Sequence, residues 1–141
     1  MATRRQCREW TIQLLFQLDA NPGEELSGVF AAFWADKGKK ADARARKFTE
    51  DLVSGVRGNL RDIDTTIKGL AEHWDIGRMG IVDRNVLRMG LFEMQHCPDI
   101  PAAVSINEAV DIAKYFSSTE SGKFVNGILD RARKNMNKPA R

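Results

Sequence analysis

The sequence contains few of the residues that usually mark metal sites, disulfides or membrane spans. Its two cysteines, Cys7 and Cys97, stand far apart and outside any CxxC or Cys/His cluster, which argues against a zinc site. A disulfide between them remains open, but two reduced thiols in a cytoplasmic protein are the simpler interpretation. The N-terminal segment MATRRQCREW lacks the apolar run of a signal peptide. No window approaches about 18 uninterrupted apolar residues, so we expect no membrane-spanning segment.

Catalytic motifs are also absent. The sequence has no P-loop, no GxGxxG after a strand and no HExxH. The two histidines, His73 and His96, lie near predicted helix ends, and neither has a cysteine, serine or acid at motif spacing. We therefore expect a protein that is not an enzyme and that needs no cofactor or metal. Only an active site assembled from distant residues would escape such a search.

Almost every segment repeats its apolar residues at helical spacing, and no stretch shows sustained period-two alternation. This pattern predicts an all-α fold, a compact bundle of about six to seven helices in two packed helical halves. The N-terminal half covers about residues 1–58 and the C-terminal half about 59–141, within a single helical domain.

Several helix boundaries are predicted from capping residues and apolar spacing. Thr3 followed by Gln6 is a possible capping box at the start of the first predicted helix. Ser105 followed by Glu108 is a second possible capping box, at the start of the sixth predicted helix. Apolar residues that recur at spacings of three and four predict a fourth amphipathic helix from Leu60 to Trp74.

Positive charge is concentrated in three segments. Residues 1–8, 37–47 and 131–141 together hold 14 of the 22 basic residues and 1 of the 19 acidic ones. The remainder of the chain is therefore acidic. A basic patch on an acidic body indicates a polyanionic partner with a defined place to bind. The alternative is that chain ends and loops are basic for solubility alone.

The first helix carries a second stripe opposite its core face. At 100° per residue, Arg5, Arg8, Ile12 and Phe16 lie together on that face. Arginines supply phosphate contacts and an aromatic ring supplies a stacking surface, so we expect both guanidiniums to be exposed. For Phe16 an alternative is burial in a second core, in a helix that is covered on two sides.

The last helix, in the segment 122–134, places an aromatic residue at the rim of its apolar face. Phe124 is bordered by Lys123, Gly127 and Arg131, and such a group could receive a splayed base or a partner side chain. The alternatives are that Phe124 extends the hydrophobic face and that Gly127 marks a close crossing of two helices.

The same residues carry a family resemblance. The runs DRNVLRMGLFEM, IPAAVSINEAVDIAKYF and SGKFVNGILDRA resemble the NusB family of bacterial transcription antitermination factors in order and spacing. The N-terminal run RRQCREWTIQLLFQLD resembles the start of that family. The resemblance covers most of the chain and implies an all-helical fold of two packed halves.

The resemblance also implies partners and site residues. Family members bind boxA-type single-stranded RNA of ribosomal transcripts together with a small-subunit ribosomal protein that acts as NusE. This pair joins the RNA polymerase antitermination complex and suppresses premature termination. The implied RNA contacts are Arg4, Arg5, Arg8, Phe16, Lys123 and Phe124, with Glu120 beside them. Asp83 and its helix match the region that contacts the ribosomal protein.

Two other functions remain as alternatives. NusB-like helical domains also precede RNA cytosine methyltransferase domains, so the chain could be an accessory module of such an enzyme. It could also be a protein–protein interaction module without RNA binding, for example a homodimer that buries the off-face aromatic residues.

Overall fold

The computed structural model describes residues 2–136, and these residues form seven α-helices. The helices are α1 (Arg4–Ala20), α2 (Leu26–Lys37), α3 (Ala43–Gly58), α4 (Leu60–Leu70), α5 (Ile81–His96), α6 (Ala102–Phe116) and α7 (Thr119–Met136), with short 3-10 turns at Gly38–Lys40 and Ile76–Arg78. The predicted all-α class is confirmed. Lys138 and Arg141, which were counted in the C-terminal basic segment, lie outside the described residues. None of the helices formed by residues 2–136 is long and apolar enough to cross a membrane.

The chain divides into two compact units, one ending at Gly58 and the other starting at Asn59. In the first unit α1 packs along α3, and α2 also contacts α3. Edge-to-face contacts join Trp10 to Phe33 and to Trp34 at ring distances of 6.4 and 5.6 Å. The Trp34 indole N–H donates to Glu50 Oε2 at 2.7 Å, so the aromatic cluster has a satisfied polar group at its edge.

Two residues at helix starts explain where α1 and α3 begin. Thr3 Oγ1 accepts from the Gln6 amide at 3.1 Å, and Asp42 Oδ1 accepts from the Ala45 amide at 2.9 Å. Both are side-chain N-caps, which satisfy amides that have no partner within the helix. Between these helices lies the Cys7 thiol, whose Sγ donates to the Ala45 carbonyl at 3.7 Å. Burial raises the pKa of the Cys7 thiol, so this group stays protonated at neutral pH.

In the second unit α5, α6 and α7 pack against one another, and α4 packs on α5 and α7. The closest approach is at Gly90 of α5. A Cβ on this residue would lie 2.8 Å from Leu129 Cδ1 and 3.6 Å from the Ala109 Cβ. Leu129 and Ala109 are fully buried, so there is little room for adjustment at this crossing.

We expect Gly90→Ala to destabilise the protein by about 1–2 kcal/mol, because overpacking outweighs the better helix propensity of alanine. Gly28→Ala in α2 is the matched control, since the added methyl group meets no described atom within 4 Å. The free energy of unfolding from urea titrations measures both effects. A Gly90→Ala protein as stable as the wild type would show that this crossing tolerates a methyl group.

Two predicted boundaries are wrong. Helix α4 ends at Leu70, so Trp74 belongs to the following turn. Helix α6 begins at Ala102, after Pro101, whose fixed φ suits a helix start. Ser105 therefore lies inside α6 and does not open a capping box. Its hydroxyl instead donates to the buried Glu93 Oε1 at 2.9 Å.

Candidate functional site

The most distinctive surface of the second unit is a pair of aromatic rings. Trp74 lies in the turn after α4 and is 56% exposed, while Phe124 on α7 is half-buried. Their ring centroids are 5.5 Å apart and the planes meet at 70°, an edge-to-face arrangement. Because the two rings are in contact, the pair presents a continuous aromatic surface to solvent.

The sequence of α7 explains why Phe124 lies at the rim. Val125, Ile128 and Leu129 are buried and anchor the helix, so the position before Val125 falls at the edge of the apolar face. Ser118 fixes the start of the helix, because its Oγ accepts from the Ser121 amide at 3.1 Å. The register of α7, and with it the direction of Phe124, is therefore well determined.

A groove of about 740 Å³ opens on one side of the aromatic pair, and we call it the α4–α7 groove. Its floor is partly apolar and its rim is mainly basic. Among the described residues that line it, three cations stand against one carboxylate, that of Glu72. The lining residues are Gly69, Leu70, Ala71, Glu72, His73, Trp74, Lys123, Phe124, Gly127, Ile128, Arg131, Lys134 and Asn135.

A second groove of about 500 Å³ lies on the other side of the pair, and we call it the α5–α7 groove. Trp74, Lys123 and Phe124 line both grooves, so the aromatic pair forms the ridge between them. The other residues lining the second groove are Arg78, Met79, Gly80, Asp83, Ser118, Glu120 and Ser121. The structure thus brings together Asp83, Glu120, Lys123 and Phe124, four of the residues that the sequence singled out.

Asp83 has an unusual environment in the first turn of α5. Its Oδ1 atom is buried, and no donor among residues 2–136 lies within hydrogen-bonding distance of it. A buried carboxylate oxygen without a donor is costly, so Asp83 is an exception among the buried polar groups of residues 2–136. Nearby, Lys123 Nζ lies 3.7 Å from Glu120 Oε1, an exposed pair one helical turn apart.

Arg131 braces the wall of the α4–α7 groove. Its Nη1 donates to the Leu70 carbonyl at 2.6 Å, at the last residue of α4. A guanidinium at this end of a helix satisfies a carbonyl that has no partner within the helix and opposes the helix dipole. The charge of Arg131 is thus held at the groove while one of its donors ties α7 to α4.

The N-terminal arginines of the first unit differ from the expectation. Arg8 was expected to be exposed, but it is only 2% exposed, and its guanidinium lies over the Phe48 ring at 5.5 Å. A long side chain can bury its stem and place a planar cation on an aromatic face, so the position on a helical wheel did not determine its exposure. Arg4 is exposed and lies over the same ring at 4.8 Å, and Arg5 is half-buried.

Phe16 is 46% exposed, so the interpretation that placed it in a second core is wrong. Ile12, one turn earlier on the same stripe, is buried. The stripe therefore changes from buried to exposed along α1. Phe16 presents a large aromatic surface on the outside of the first unit.

Gly127 does not mark a close helix crossing. Beyond its own helix backbone, a Cβ on Gly127 would meet no atom of the described residues within 4 Å, and the residue is exposed in the wall of the α4–α7 groove. The tight glycine of α7 is Gly122, where a Cβ would lie 2.6 Å from the Lys114 Cγ. The open backbone at Gly127 thus widens the groove beside Phe124.

Sequence reasoning missed Trp74 as a site residue. The spacing from Leu70 to Trp74 continued the apolar stripe of α4, so the indole was assigned to the core face of a helix. The pair of polar residues before it, Glu72 and His73, and the Asp75 that follows are consistent with a turn, and this was the only indication available.

Comparison with known proteins identifies the family to which this fold belongs. The model of the NusB family matches residues 5–134. The chain belongs to the NusB family. A NusB-family relative, the transcription antitermination protein NusB of Myxococcus xanthus (strain DK1622), is 44% identical over 142 residues, which cover 99% of this chain and 100% of that protein.

Solved NusB structures have the same fold. T. maritima NusB is 37% identical, with a TM-score of 0.85, and the match covers 94% of this chain and 92% of that one. A chain in the crystal structure of the antitermination factors NusB and NusE in complex with dsRNA is 28% identical, with a TM-score of 0.82. That match covers 94% of this chain and 96% of the other.

Proposed function

We propose that the protein is a transcription antitermination factor that binds boxA-type RNA of ribosomal transcripts. It acts with a small-subunit ribosomal protein in the role of NusE, and the complex joins RNA polymerase and suppresses premature termination. The protein works by binding and not by catalysis, in the cytoplasm where nascent transcripts are made. The observation that carries the proposal is the ridge of Phe124, Trp74 and Lys123 between two grooves, in a chain of the NusB family.

Single-stranded RNA suits this ridge because its unpaired bases expose faces that stack on aromatic rings. Phe124 is held at the rim by its contact with Trp74, and Lys123 beside it is exposed. In the proposed complex a base stacks on Phe124 and Lys123 contacts a phosphate. The relative solved together with NusE and dsRNA supports RNA as the partner of this fold.

The first unit supplies further contacts in the proposal. Arg4 and Arg5 contact phosphates, and the exposed ring of Phe16 offers a second aromatic surface. Arg8 is too buried to receive a phosphate directly. Its guanidinium packs on Phe48, the ring that also lies under Arg4, so Arg8 positions this part of the basic surface.

Asp83 is the proposed contact for the protein partner. Its Oδ1 has no donor within the described part of the chain and lies in the lining of the α5–α7 groove. Asp83 as a whole is partly exposed in this groove, so a lysine or an arginine of the ribosomal protein would pair with the accessible part of its carboxylate. Proteins of the ribosome that bind RNA are commonly basic, so a carboxylate is a suitable group to receive one.

We expect Glu120→Gln to raise RNA affinity by about 2- to 5-fold at low salt, because the exposed carboxylate repels phosphates and pairs with Lys123. Anisotropy titrations of labelled boxA RNA measure the change. Asp99→Asn, an exposed acid outside both groove linings, is the control for net charge. If both variants gain equally, the effect is one of overall charge and Glu120 has no special position.

Gly127→Ala separates stability from binding. The methyl group enters open space, so we expect the helix to gain up to about 1 kcal/mol in stability. If RNA passes close to this backbone, the same methyl group lowers RNA affinity. Urea denaturation and anisotropy on the same variant measure the two quantities, and Gly28→Ala is the control. Unchanged affinity would show that RNA does not approach Gly127.

Sedimentation velocity tests the proposed assembly as a whole. Mixtures of the protein, the ribosomal partner and labelled boxA RNA should sediment as one complex, whereas a permuted strand should stay separate. A duplex of the same sequence tests whether unpaired bases are needed. If the protein forms a tight homodimer that neither RNA nor the partner dissociates, the proposal is wrong and the interaction-module alternative is favoured.

A further inference from the structure

Trp74 stands apart from the other two tryptophans. Trp10 is 4% exposed and Trp34 is 5% exposed, whereas Trp74 is 56% exposed. A large aromatic side chain buries more apolar area than most residues when it is covered, so leaving it in water forgoes a sizeable stabilisation. Trp74 packs edge-to-face against Phe124, so the two rings together offer an apolar surface that a binding partner can cover.

The position of Trp74 is tied to the α4–α7 groove at two places. It lies in the groove lining next to Phe124, and it follows by four residues the end of α4, where Arg131 donates to the Leu70 carbonyl. The Trp74 amide donates to the Ala71 carbonyl at 2.9 Å, and its indole packs on Phe124, so backbone and side chain are both in contact with the unit. A preorganised aromatic surface of this kind costs little entropy when a ligand binds.

The charges of the two grooves differ. In the α4–α7 groove the described lining residues include Lys123, Arg131 and Lys134 against the single carboxylate of Glu72. In the α5–α7 groove two cations face two carboxylates. Asp130 pairs with Lys134 at 3.2 Å and Glu120 with Lys123 at 3.7 Å, which reduces the positive charge of this groove. A polyanion is still favoured on the α4–α7 side, because the lining itself carries more cations than carboxylates.

We propose that Trp74 stacks an unpaired RNA base in the α4–α7 groove, adjacent to the base on Phe124, while the RNA backbone runs past Lys123 toward Lys134. This inference rests on the proposed function, because it assumes that RNA occupies this ridge. It adds a second aromatic subsite and extends the RNA footprint along α7. Stacking tolerates any base. The subsite therefore raises the affinity for RNA and the number of nucleotides bound, and it adds little sequence specificity.

The test uses the full-length protein with its ribosomal partner, boxA RNA, and two variants, Trp74→Leu and Trp74→Phe. Acrylamide quenching of tryptophan fluorescence reports on Trp74, because Trp10 and Trp34 are shielded. RNA should protect the quenchable component in the wild type. Trp74→Leu should weaken binding by about 5- to 150-fold, whereas Trp74→Phe, which keeps a stacking face, should lose much less.

Tyr115→Leu is the matched control, since Tyr115 is an exposed aromatic on α6 outside both groove linings. The affinity of this variant for boxA RNA should equal that of the wild type. The inference alone is overturned if wild-type protein binds boxA RNA specifically but Trp74 stays fully quenchable and Trp74→Leu binds as tightly. It is also overturned if the ribosomal partner protects Trp74 without RNA. If the wild type shows no preference for boxA RNA, the proposed function fails, and the inference fails with it.

Discussion

Phe124→Ala is expected to weaken specific binding of boxA RNA by about 5- to 150-fold, which is the loss typical of one stacked base. The ring lies on the ridge between the two grooves, in edge contact with Trp74 and next to Lys123. Its removal takes away a stacking face and also the support of the neighbouring indole. Nonspecific binding should fall much less, because phosphate contacts supply most of it.

The control for this experiment is Phe116→Ala. Phe116 is also half-buried and also forms an edge contact with an exposed aromatic, Tyr115, at 5.1 Å. Both variants should lose comparable stability, but only Phe124→Ala should lose specific RNA affinity. Equal losses of affinity for boxA RNA and a permuted strand would indicate that Phe124 only supports the fold.

Asp64→Ala is expected to destabilise the protein by about 3 kcal/mol, near the lower end for a broken buried ion pair because Asp64 is partly exposed. Asp64 accepts from the Arg88 Nε at 2.8 Å and from its Nη2 at 2.9 Å, a bidentate pair between α4 and α5. Arg88 is only 7% exposed. Removing the carboxylate takes two acceptors from a guanidinium that water reaches poorly.

An exposed ion pair gives the comparison. Asp51 pairs with Lys47 Nζ at 2.9 Å on the surface of α3, and Asp51→Ala should cost far less stability than Asp64→Ala because water solvates both partners. Urea denaturation, fitted with the same m-value for both variants, measures the change in the free energy of unfolding of each. Similar small losses for the two would mean that the Asp64–Arg88 pair contributes no more than a solvated pair.

The positions of the helices followed from the sequence to a useful degree. Apolar spacing predicted an all-α fold of about six to seven helices, and seven form, because burial of one face determines where such helices persist. The cap at Thr3 also formed as expected, since a threonine hydroxyl before a helix has a nearby amide to accept from. The rim position of Phe124 followed from the same geometry.

The remaining features depend on tertiary contacts that one helix does not encode. Arg8 is buried on the ring of Phe48, which comes from another helix. Ser105 looked like a cap because serine and a following glutamate have that pattern, but Glu93 of α5 accepts its hydroxyl inside the unit. Trp74 kept the apolar spacing of α4 beyond the end of the helix, so periodicity could not show that its indole faces solvent.

The most direct test of the account is an anisotropy titration of labelled boxA RNA with the protein and its ribosomal partner at near-physiological salt. A permuted strand of the same composition serves as the competitor. We predict that the pair binds boxA RNA more tightly than the permuted strand, and that Phe124→Ala removes most of this preference. Binding that is equally tight for both strands, with the partner present, would contradict the proposal that this NusB-family protein recognises boxA RNA.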